Sequence, residues 1–235
     1  MEIMEATRAD GTVRLEIWPD EYAESPRQDR DNLGTLVFPS ERYIHLGDDP
    51  RWRTSMVRFL YDLGGDLGVD PDRLERLLDA TWEEDENPQA TASETLRKIV
   101  LGSPRLIALP LTVFDDWQPQ VRVWGQDRLL DWDNDGYLYV TAERVREELS
   151  VQRITKGVRE RTLRYLASEI EELNTYLRGE VVGFKLVEVA TGAILDSVWN
   201  FYALGDIADY LGEEDRKLLE QLEPHRYCGC CKQRM

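Results

Sequence analysis

Three aspartates at alternate positions form the part of the sequence whose spacing most closely matches a chemical site. Asp131, Asp133 and Asp135 come directly before Gly136. In the first half of a calcium loop the same spacing lets alternate carboxylates converge on one cation, while the glycine permits a sharp turn. The last ligand of that loop should be a glutamate, but Ala142 stands there. The sequence therefore predicts either a calcium site or an ordinary turn rich in Asp, Asn and Gly, and we otherwise expect no cofactor.

Two further aspartates raise the alternative of metal-dependent hydrolysis. Asp115 and Asp116 follow a predicted strand, and together with the three aspartates above they could hold the metal ions of a nuclease or hydrolase. Sites of that kind usually also contain a lysine or a histidine, and the sequence has neither nearby. Motifs for a serine nucleophile, a zinc protease, a phosphate-binding loop or a dinucleotide fold do not occur. We therefore predict a protein that is not an enzyme, with a metal-dependent hydrolase as the alternative.

The cysteines of the sequence lie together near residue 230. Cys228 and Cys231 follow His225 with the spacing of half a zinc site, but a structural zinc needs four ligands and no second half occurs elsewhere. We expect a flexible tail with reduced thiols rather than a metal centre.

Charge is the strongest feature of the composition. The 235 residues contain 46 acidic and 29 basic side chains, which gives a formal net charge of −17. Because 42% of the residues are hydrophobic, the chain can form a core, so we expect a folded acidic protein rather than a disordered tail. Such a surface repels nucleic acids and anionic membranes, and it attracts proteins that bind them.

Hydropathy argues against membrane insertion and secretion. The longest apolar stretch, residues 106–114, contains Pro110 and is too short to span a bilayer. The first residues are acidic and lack the features of a secretory signal. These observations predict a soluble, cytoplasmic protein.

Carboxylates close to tryptophan indicate where a partner protein could bind. Aromatic side chains are frequent binding hot spots, and carboxylates beside them favour a basic partner. The predicted partner-binding residues are Asp115, Asp116, Trp117, Trp124, Glu83, Glu84, Asp85 and Glu86. The alternatives are a core position for each tryptophan and a solvated helix end for 83–86.

Hydrophobic periodicity predicts an α+β fold in which a largely antiparallel sheet is packed by one long helix over 155–177. Apolar residues at helical spacing between 52 and 101 predict a helical segment inserted between strands. We therefore divide the chain into an α+β core of 1–51 and 102–204, a helical insertion of 52–101, a C-terminal helix of 205–222, and a flexible, cysteine-containing tail of 223–235.

Several short motifs together resemble one family. They are Asp31-Asn-Leu-Gly-Thr35, Leu109-Pro-Leu111, Trp132-Asp133 with Gly136 and Tyr139-Val140-Thr141, Tyr176-Leu177 with Gly179, Val181 and Gly183, and Asp196-Ser-Val-Trp199 with Phe201-Tyr202. The pattern, which covers 31–48 and 105–203, resembles a family of uncharacterised proteins of phages and mobile elements. Since that family has no assigned activity, the resemblance implies only a context: a protein carried by a phage or plasmid, acting in the cytoplasm of a host cell and directed against that host.

Charge and resemblance together predict an acidic protein that binds and inhibits a nucleic-acid-processing or defence enzyme of the host, with DNA mimicry as one mode. The expected partner is a host protein with a basic nucleic-acid-binding surface, and we expect no direct binding to nucleic acid or membrane. Mimicry requires most of the acidic charge to lie on one surface. One alternative is the hydrolase that uses Asp115, Asp131, Asp133 and Asp135; the other is a non-catalytic accessory protein with a salt-adapted surface.

Overall fold

The computed structural model describes residues 2–29, 31–48, 55–82, 88–115, 118–131 and 134–226. The chain divides into two compact units: unit 1 contains 1–29 and 172–235, and unit 2 contains 30–171. Each unit contains one antiparallel sheet together with helices, which confirms the predicted α+β class. None of the helices in these described ranges combines the length and the hydropathy of a membrane span.

The elements are numbered here in chain order. The strands are β1 (Glu2–Thr7), β2 (Val13–Pro19), β3 (Thr35–Val37), β4 (Leu106–Asp115), β5 (Pro119–Val123), β6 (Gly136–Thr141), β7 (Val182–Glu188), β8 (Ile194–Phe201) and β9 (Glu223–Arg226). The helices are α1 (Pro26–Asp29), α2 (Met56–Asp66), α3 (Pro71–Trp82), α4 (Pro88–Leu101), α5 (Ala142–Glu148), α6 (Lys156–Leu177) and α7 (Glu213–Arg216). Short 3-10 segments lie at Ile44–Leu46, Gln126–Arg128, Leu204–Tyr210 and Lys217–Gln221.

Unit 1 is a five-stranded sheet with the strand order β8-β7-β2-β1-β9. Because successive residues of a strand point to opposite faces, Leu15 and Ile17 of β2 share one face and pack against Phe184 of β7. Ile207 and Leu218, from the 3-10 segments before β9, complete this core. The chain between β8 and β9 therefore covers one face of the sheet.

Unit 2 is a four-stranded sheet, with the order β3-β6-β4-β5, that has helices on both faces. On one face the ring of Tyr137 in β6 stacks on Phe59 of α2, with 6.2 Å between ring centres. The neighbouring Leu138 points to the opposite face. There Leu138 and Leu166 of α6 approach Gly34 so closely that a side chain at that glycine would clash with both. The predicted helical segment of 52–101 is thus present as α2, α3 and α4, which form one layer of this unit.

The long helix predicted over 155–177 is α6. At its start the Val158 N–H donates to Oγ1 of Thr155, at 3.3 Å. Beyond its last turn Gly179 has a φ of 66°, in the left-handed region that favours glycine at helix ends. The spacing of apolar residues and these two end signals explain why this element was predictable.

The region after β8 differs from the sequence-based prediction. Instead of one helix over 205–222, the structure has Leu204–Tyr210, α7 and Lys217–Gln221, because Leu211 and Gly212 both have extended backbone that interrupts the helix. Residues 223–226, assigned to the flexible tail, form β9 and pair with β1, whose outer edge would otherwise lack main-chain partners. The predicted core of 1–51 and 102–204 is divided between the two units.

Candidate functional site

The carboxylate of Asp135 is hydrogen-bonded to strand β4. Its Oδ2 accepts from Oγ1 of Thr112 at 2.8 Å and from the N–H of Val113 at 2.7 Å. The Asp135 N–H in turn donates to the carbonyl of Leu111. This aspartate therefore closes the turn before β6 onto the neighbouring strand, in the manner of an Asp in an ordinary turn.

Asp131 also has partners within its own chain. Nε of Arg128 donates to the Asp131 carboxylate at 2.8 Å, and the Arg128 guanidinium lies 3.4 Å from the ring centre of Trp124. Asp133 lies outside the described residues. Within the described part of the chain, His, Cys, Asp and Glu side chains form no group of three or more that could hold a metal ion. A calcium ion at this loop would have to compete with the contacts of Asp131 and Asp135, and calcium binding stays a prediction.

A buried polar cluster holds the main chain of the same loop. Arg97 of α4 is fully buried and donates from Nη1 to the carbonyl of Asp131. Nδ2 of the buried Asn134 donates to that carbonyl at 3.0 Å and to the hydroxyl of Tyr137 at 3.3 Å. Burial lowers the pKa of Arg97 and raises the pKa of Tyr137, because each would lose solvation in its charged form. The cluster positions the loop, and its groups face the protein interior.

The hairpin of β4 and β5 carries two of the predicted partner-binding residues. Asp115 ends β4 and is paired with Pro119 of β5, and Trp124 follows β5 as a half-buried residue. The guanidinium of Arg122 lies 4.0 Å from the ring centre of the exposed Phe114. Together with the Arg128–Trp124 contact, this gives the hairpin two stacks of arginine on an aromatic ring. Asp116, Trp117 and the run of Glu83, Glu84, Asp85 and Glu86 lie outside the described residues.

A different stretch of unit 1 combines acidic charge with exposed apolar side chains. Residues 186–215 contain no lysine, arginine or histidine but seven acids: Glu188, Asp196, Asp206, Asp209, Glu213, Glu214 and Asp215. Ten large hydrophobic side chains are exposed in the described residues, and six of them belong to this stretch: Val189, Ile194, Leu195, Trp199, Leu204 and Tyr210. We call the exposed side chains of 189–214 the β8 surface. These side chains lie on both sides of the sheet: Trp199 lies on the face of Gly183, whereas Tyr210 packs on Phe201 on the face that the chain after β8 covers. Exposed apolar groups gathered along one edge of a sheet are a sign of an interaction site.

The aromatic residues of the β8 surface are held in place by the sheet. Trp199 lies directly on Gly183 of β7, where any side chain would collide with the indole. Nζ of Lys185 lies 5.5 Å from the Trp199 ring centre and 4.6 Å from that of Trp18. Tyr210, which is 59% exposed, packs edge-to-face on Phe201 with 5.1 Å between ring centres. These contacts fix the rings while leaving part of each one accessible.

The acids of residues 186–215 differ in their partners. Asp215 is buried and accepts from Nε of Arg8 at 2.6 Å, and Glu214 lies 3.6 Å from the same guanidinium. The hydrogen bond that Arg8 donates to Asp215 is the main reason that the pKa of Arg8 is raised. Among the described residues, Asp206, Asp209 and Glu213 have no ion-pair partner, and all three are exposed. They are therefore available to a basic partner.

Sequence reasoning missed the β8 surface although a signal was present. When charges are counted over each half of the chain, bases elsewhere in that half hide a stretch of thirty residues that contains none. A count over shorter windows would have found it, because no basic residue occurs between Lys185 and Arg216. The exposure of the apolar side chains, in contrast, depends on where the strand lies in the sheet.

Two clefts lie on the surface of the described residues. One of about 350 Å³ in unit 2 is lined by charged groups of both signs, among them Asp66, Arg105, Glu143 and Arg146. One of about 300 Å³ in unit 1 lies beside Arg8, Asp10, Glu214 and Lys217. None of the residues predicted to bind a metal or a partner lines either cleft.

The chain matches no protein-family model, no curated protein and no solved structure. The resemblance to proteins of phages and mobile elements is therefore still a prediction.

Proposed function

We propose that this protein is a binding protein, not an enzyme, whose β8 surface covers a basic surface of a nucleic-acid-processing or defence enzyme and thereby inhibits it. One observation carries the proposal: the thirty residues 186–215 hold seven acids and no base, and they expose six of the ten large apolar side chains exposed in the described residues. Apolar and aromatic anchors surrounded by polar groups are the usual composition of a protein interface. The charged residues of 186–215 are all acidic and outweigh Lys185 of β7, which lies beside Trp199, so the matching surface is basic.

Electrostatics supports both the approach of such a partner and its selection. A net charge of −17 steers basic surfaces toward the protein and keeps nucleic acid and acidic proteins away. Asp206, Asp209 and Glu213 have no ion-pair partner among the described residues, so a basic partner need not displace an internal arginine or lysine. These three carboxylates are the first residues to test.

DNA mimicry at this surface would be local. Five exposed acids lie in 196–214: Asp196, Asp206, Asp209, Glu213 and Glu214. Duplex DNA carries one charge per about 1.7 Å, so five charges correspond to roughly 8.5 Å of duplex, less than one helical turn. The β8 surface is therefore suited to cover a small basic patch, with its apolar side chains supplying contacts that DNA lacks.

The phage or mobile-element context is part of the same proposal. The motif Asp196-Ser-Val-Trp199 with Phe201-Tyr202, which carries part of the resemblance, coincides with β8 and its end. An inhibitor carried by a phage or plasmid would act in the host cytoplasm, where such enzymes work.

Affinity purification from a host lysate tests the proposal when three forms of the protein are compared. The first is the wild type, and the second is Asp206→Asn/Asp209→Asn/Glu213→Gln. The third is the matched control Asp72→Asn/Glu75→Gln/Asp79→Asn, which removes the same charge from exposed positions of α3 in unit 2. We expect the wild type and the control to retain a nucleic-acid-binding enzyme that rising salt or added duplex DNA releases, and the second form to lose it.

Retention of the same enzyme by the β8 variant would contradict the proposal. So would recovery of no partner by the wild type, which is the result expected for an accessory protein with a salt-adapted surface. Loss of binding in the α3 control alone would move the binding surface to unit 2.

A further inference from the structure

The sheet edges formed by the described strands differ in how they are protected from pairing with another chain. β9 has four residues and contains Pro224, β5 begins at Pro119, and β3 has only three residues. Proline, short length and positive charge are the usual means by which proteins block an edge. β8 has eight residues, Ile194–Phe201, and contains no proline, lysine or arginine. Of the described edge strands it is the longest, and it lacks proline and positive charge.

A main-chain donor on β8 points away from its sheet. Ser197 lies opposite Lys185 of β7, yet its N–H donates to Oδ1 of Asp196 at 2.8 Å. In an antiparallel ladder, alternate residue pairs do not hydrogen-bond to each other, and their N–H and C=O groups point outward. The Ser197 N–H is such an outward group, satisfied by the side chain next to it. No strand lies on that side of β8 within the described residues.

We propose that an extended segment of the partner, with basic residues beside apolar ones, pairs with β8 as an added antiparallel strand. This inference rests on the proposed function and specifies how the β8 surface binds. A carbonyl of the incoming segment accepts from the Ser197 N–H and releases the Asp196 carboxylate. The freed carboxylate then pairs with a lysine or arginine of the segment.

The side chains beside β8 match a segment of that composition. Ile194 and Leu195 are 57% and 56% exposed, and Trp199 presents part of its indole, so apolar side chains of the segment have surfaces to cover. Lys185 of β7 lies opposite Ser197, but residues 186–215 contribute seven acids and no base, and this excess favours lysine and arginine and disfavours an acidic segment. Charge therefore selects the class of segment, and main-chain pairing fixes its direction.

The paired stretch is short. The ladder between β7 and β8 shifts register between Leu186 and Val187 and again between Val182 and Phe184. At the second shift Asn200 has a φ of 70°, and its N–H donates to Oδ2 of Asp20 at 3.1 Å. Bulges twist an edge away from further pairing, so regular pairing is confined to the residues around Ser197. A short added strand binds reversibly and depends on its side chains for specificity.

A synthetic peptide of nine residues that alternates lysine and valine tests the inference on the full-length protein. Its binding is followed by fluorescence anisotropy for the wild type, Ser197→Pro and Ser197→Ala. Proline at 197 has no N–H, so it removes the outward donor without removing a hydrogen bond to β7. Alanine at 197 keeps this N–H. We expect Ser197→Pro to bind about tenfold more weakly than Ser197→Ala, because a main-chain hydrogen bond is lost. We also expect the peptide to slow hydrogen exchange at the Ser197 amide.

A second measurement keeps the test valid if Ser197→Pro does not fold. The same peptide with an N-methyl group at every residue cannot pair along either edge, so wild-type protein should bind it about tenfold more weakly than the unmodified peptide. Equal binding of both peptides would overturn strand addition. Protection from exchange on β9, β5 or β3 instead of β8 would also overturn it.

Two further outcomes separate this inference from the proposed function. If Asp206→Asn/Asp209→Asn/Glu213→Gln abolishes binding while Ser197→Pro does not, the acidic surface binds without an added strand and only the inference fails. If sedimentation shows a wild-type dimer that Ser197→Pro converts to a monomer, the occupant of β8 is a second copy of this chain, and the inference is overturned.

Discussion

The Asp131–Asp135 loop of unit 2 and the β8 surface of unit 1 are both rich in acids, but their acids have different tasks. In the loop, Asp135 accepts two hydrogen bonds from β4, and Asp131 is paired with Arg128. On the β8 surface, Asp206 and Asp209 are exposed and have no ion-pair partner among the described residues. The loop has the denser motif in the sequence, yet its acids stabilise the fold. An acidic side chain is available for binding when it has no hydrogen-bond or ion-pair partner within its own chain. How many acids stand close together in the sequence does not decide this.

The same contrast holds for aromatic side chains. Trp124 beside the loop is half-buried under Arg128, whereas Tyr210 on the β8 surface is 59% exposed and rests on Phe201. An aromatic ring that is fixed on one side and accessible on the other loses little entropy on binding, so it makes an effective anchor. Replacements in the loop should therefore change stability, and replacements on the β8 surface should change binding.

The largest loss of stability is expected for Arg97→Ala. The buried guanidinium donates to the carbonyl of Asp131 and lies over the ring of Tyr137, so its removal leaves a cavity and a carbonyl that keeps only its bond from Asn134 among the side-chain bonds described. We expect the free energy of unfolding in urea to fall by about 3 kcal/mol. The matched control is Lys98→Ala on the same helix, where an exposed pair with Glu94 is lost and the change should stay below about 0.5 kcal/mol. Equal effects of the two replacements would show that Arg97 does not hold the loop.

A smaller loss is expected for Asp135→Ala. The replacement removes the acceptor of the Thr112 hydroxyl and of the Val113 N–H, which should cost about 1–3 kcal/mol of unfolding free energy. Asp131→Ala removes a side-chain pair with Arg128 in which both side chains are more than 40% exposed, so the cost should be about 0–1 kcal/mol. Asp135→Ala could instead leave the unfolding free energy unchanged and abolish a calcium-induced rise in melting temperature. The loop would then be a metal site, and its acids would not differ from those of the β8 surface in being available for binding.

The pH dependence of stability tests the burial of Tyr137. Burial raises the pKa of this hydroxyl above its ordinary value of 10.0, so the folded state favours the neutral form. The stability that this shift contributes is fully present below pH 10 and is lost as the pH rises through the folded pKa, because the unfolded chain ionises first. Tyr137→Phe removes the titrating group together with hydrogen bonds to Asn134 and Leu129.

Urea unfolding of the wild type and Tyr137→Phe at pH 8 and at pH 10.5 measures this effect. We expect the variant to be less stable at pH 8 by about 1 kcal/mol and the difference to shrink at the higher pH. A difference that is the same at both pH values would mean that the hydroxyl of Tyr137 reaches solvent.

The smallest effect on stability is expected for Asp206→Asn/Asp209→Asn/Glu213→Gln. These exposed carboxylates have no ion-pair partner among the described residues, and their removal lowers the net negative charge, so the unfolding free energy should change by less than about 0.5 kcal/mol. The same variant should lose the partner in the affinity purification described above. If this variant lost several kcal/mol of unfolding free energy and still bound the partner, these acids would stabilise the fold and would not form the binding surface.

Part of the fold could be predicted from the sequence because its signals are local. The apolar spacing along 156–177 and the glycine at 179 are sufficient to place α6. The alternation over 12–18 is sufficient to place β2, although the predicted half-buried strand has both of its faces buried. The single helix predicted over 205–222 failed at Leu211 and Gly212, since their extended backbone follows from packing that the helical spacing does not reveal. The candidate site was predicted at the hairpin and the loop, and the β8 surface was missed.

The sequence by itself determined the α+β class, the long helix, the excess of acids and the absence of any base between 186 and 215. Only the tertiary structure decided which acids are available and which edge is open. Thr112 and Val113 are more than twenty residues from Asp135 along the chain, and strand pairing brings them within hydrogen-bond distance of its carboxylate. Composition and spacing describe what a segment could bind, but the long-range pairing of strands settles whether its polar groups are already satisfied.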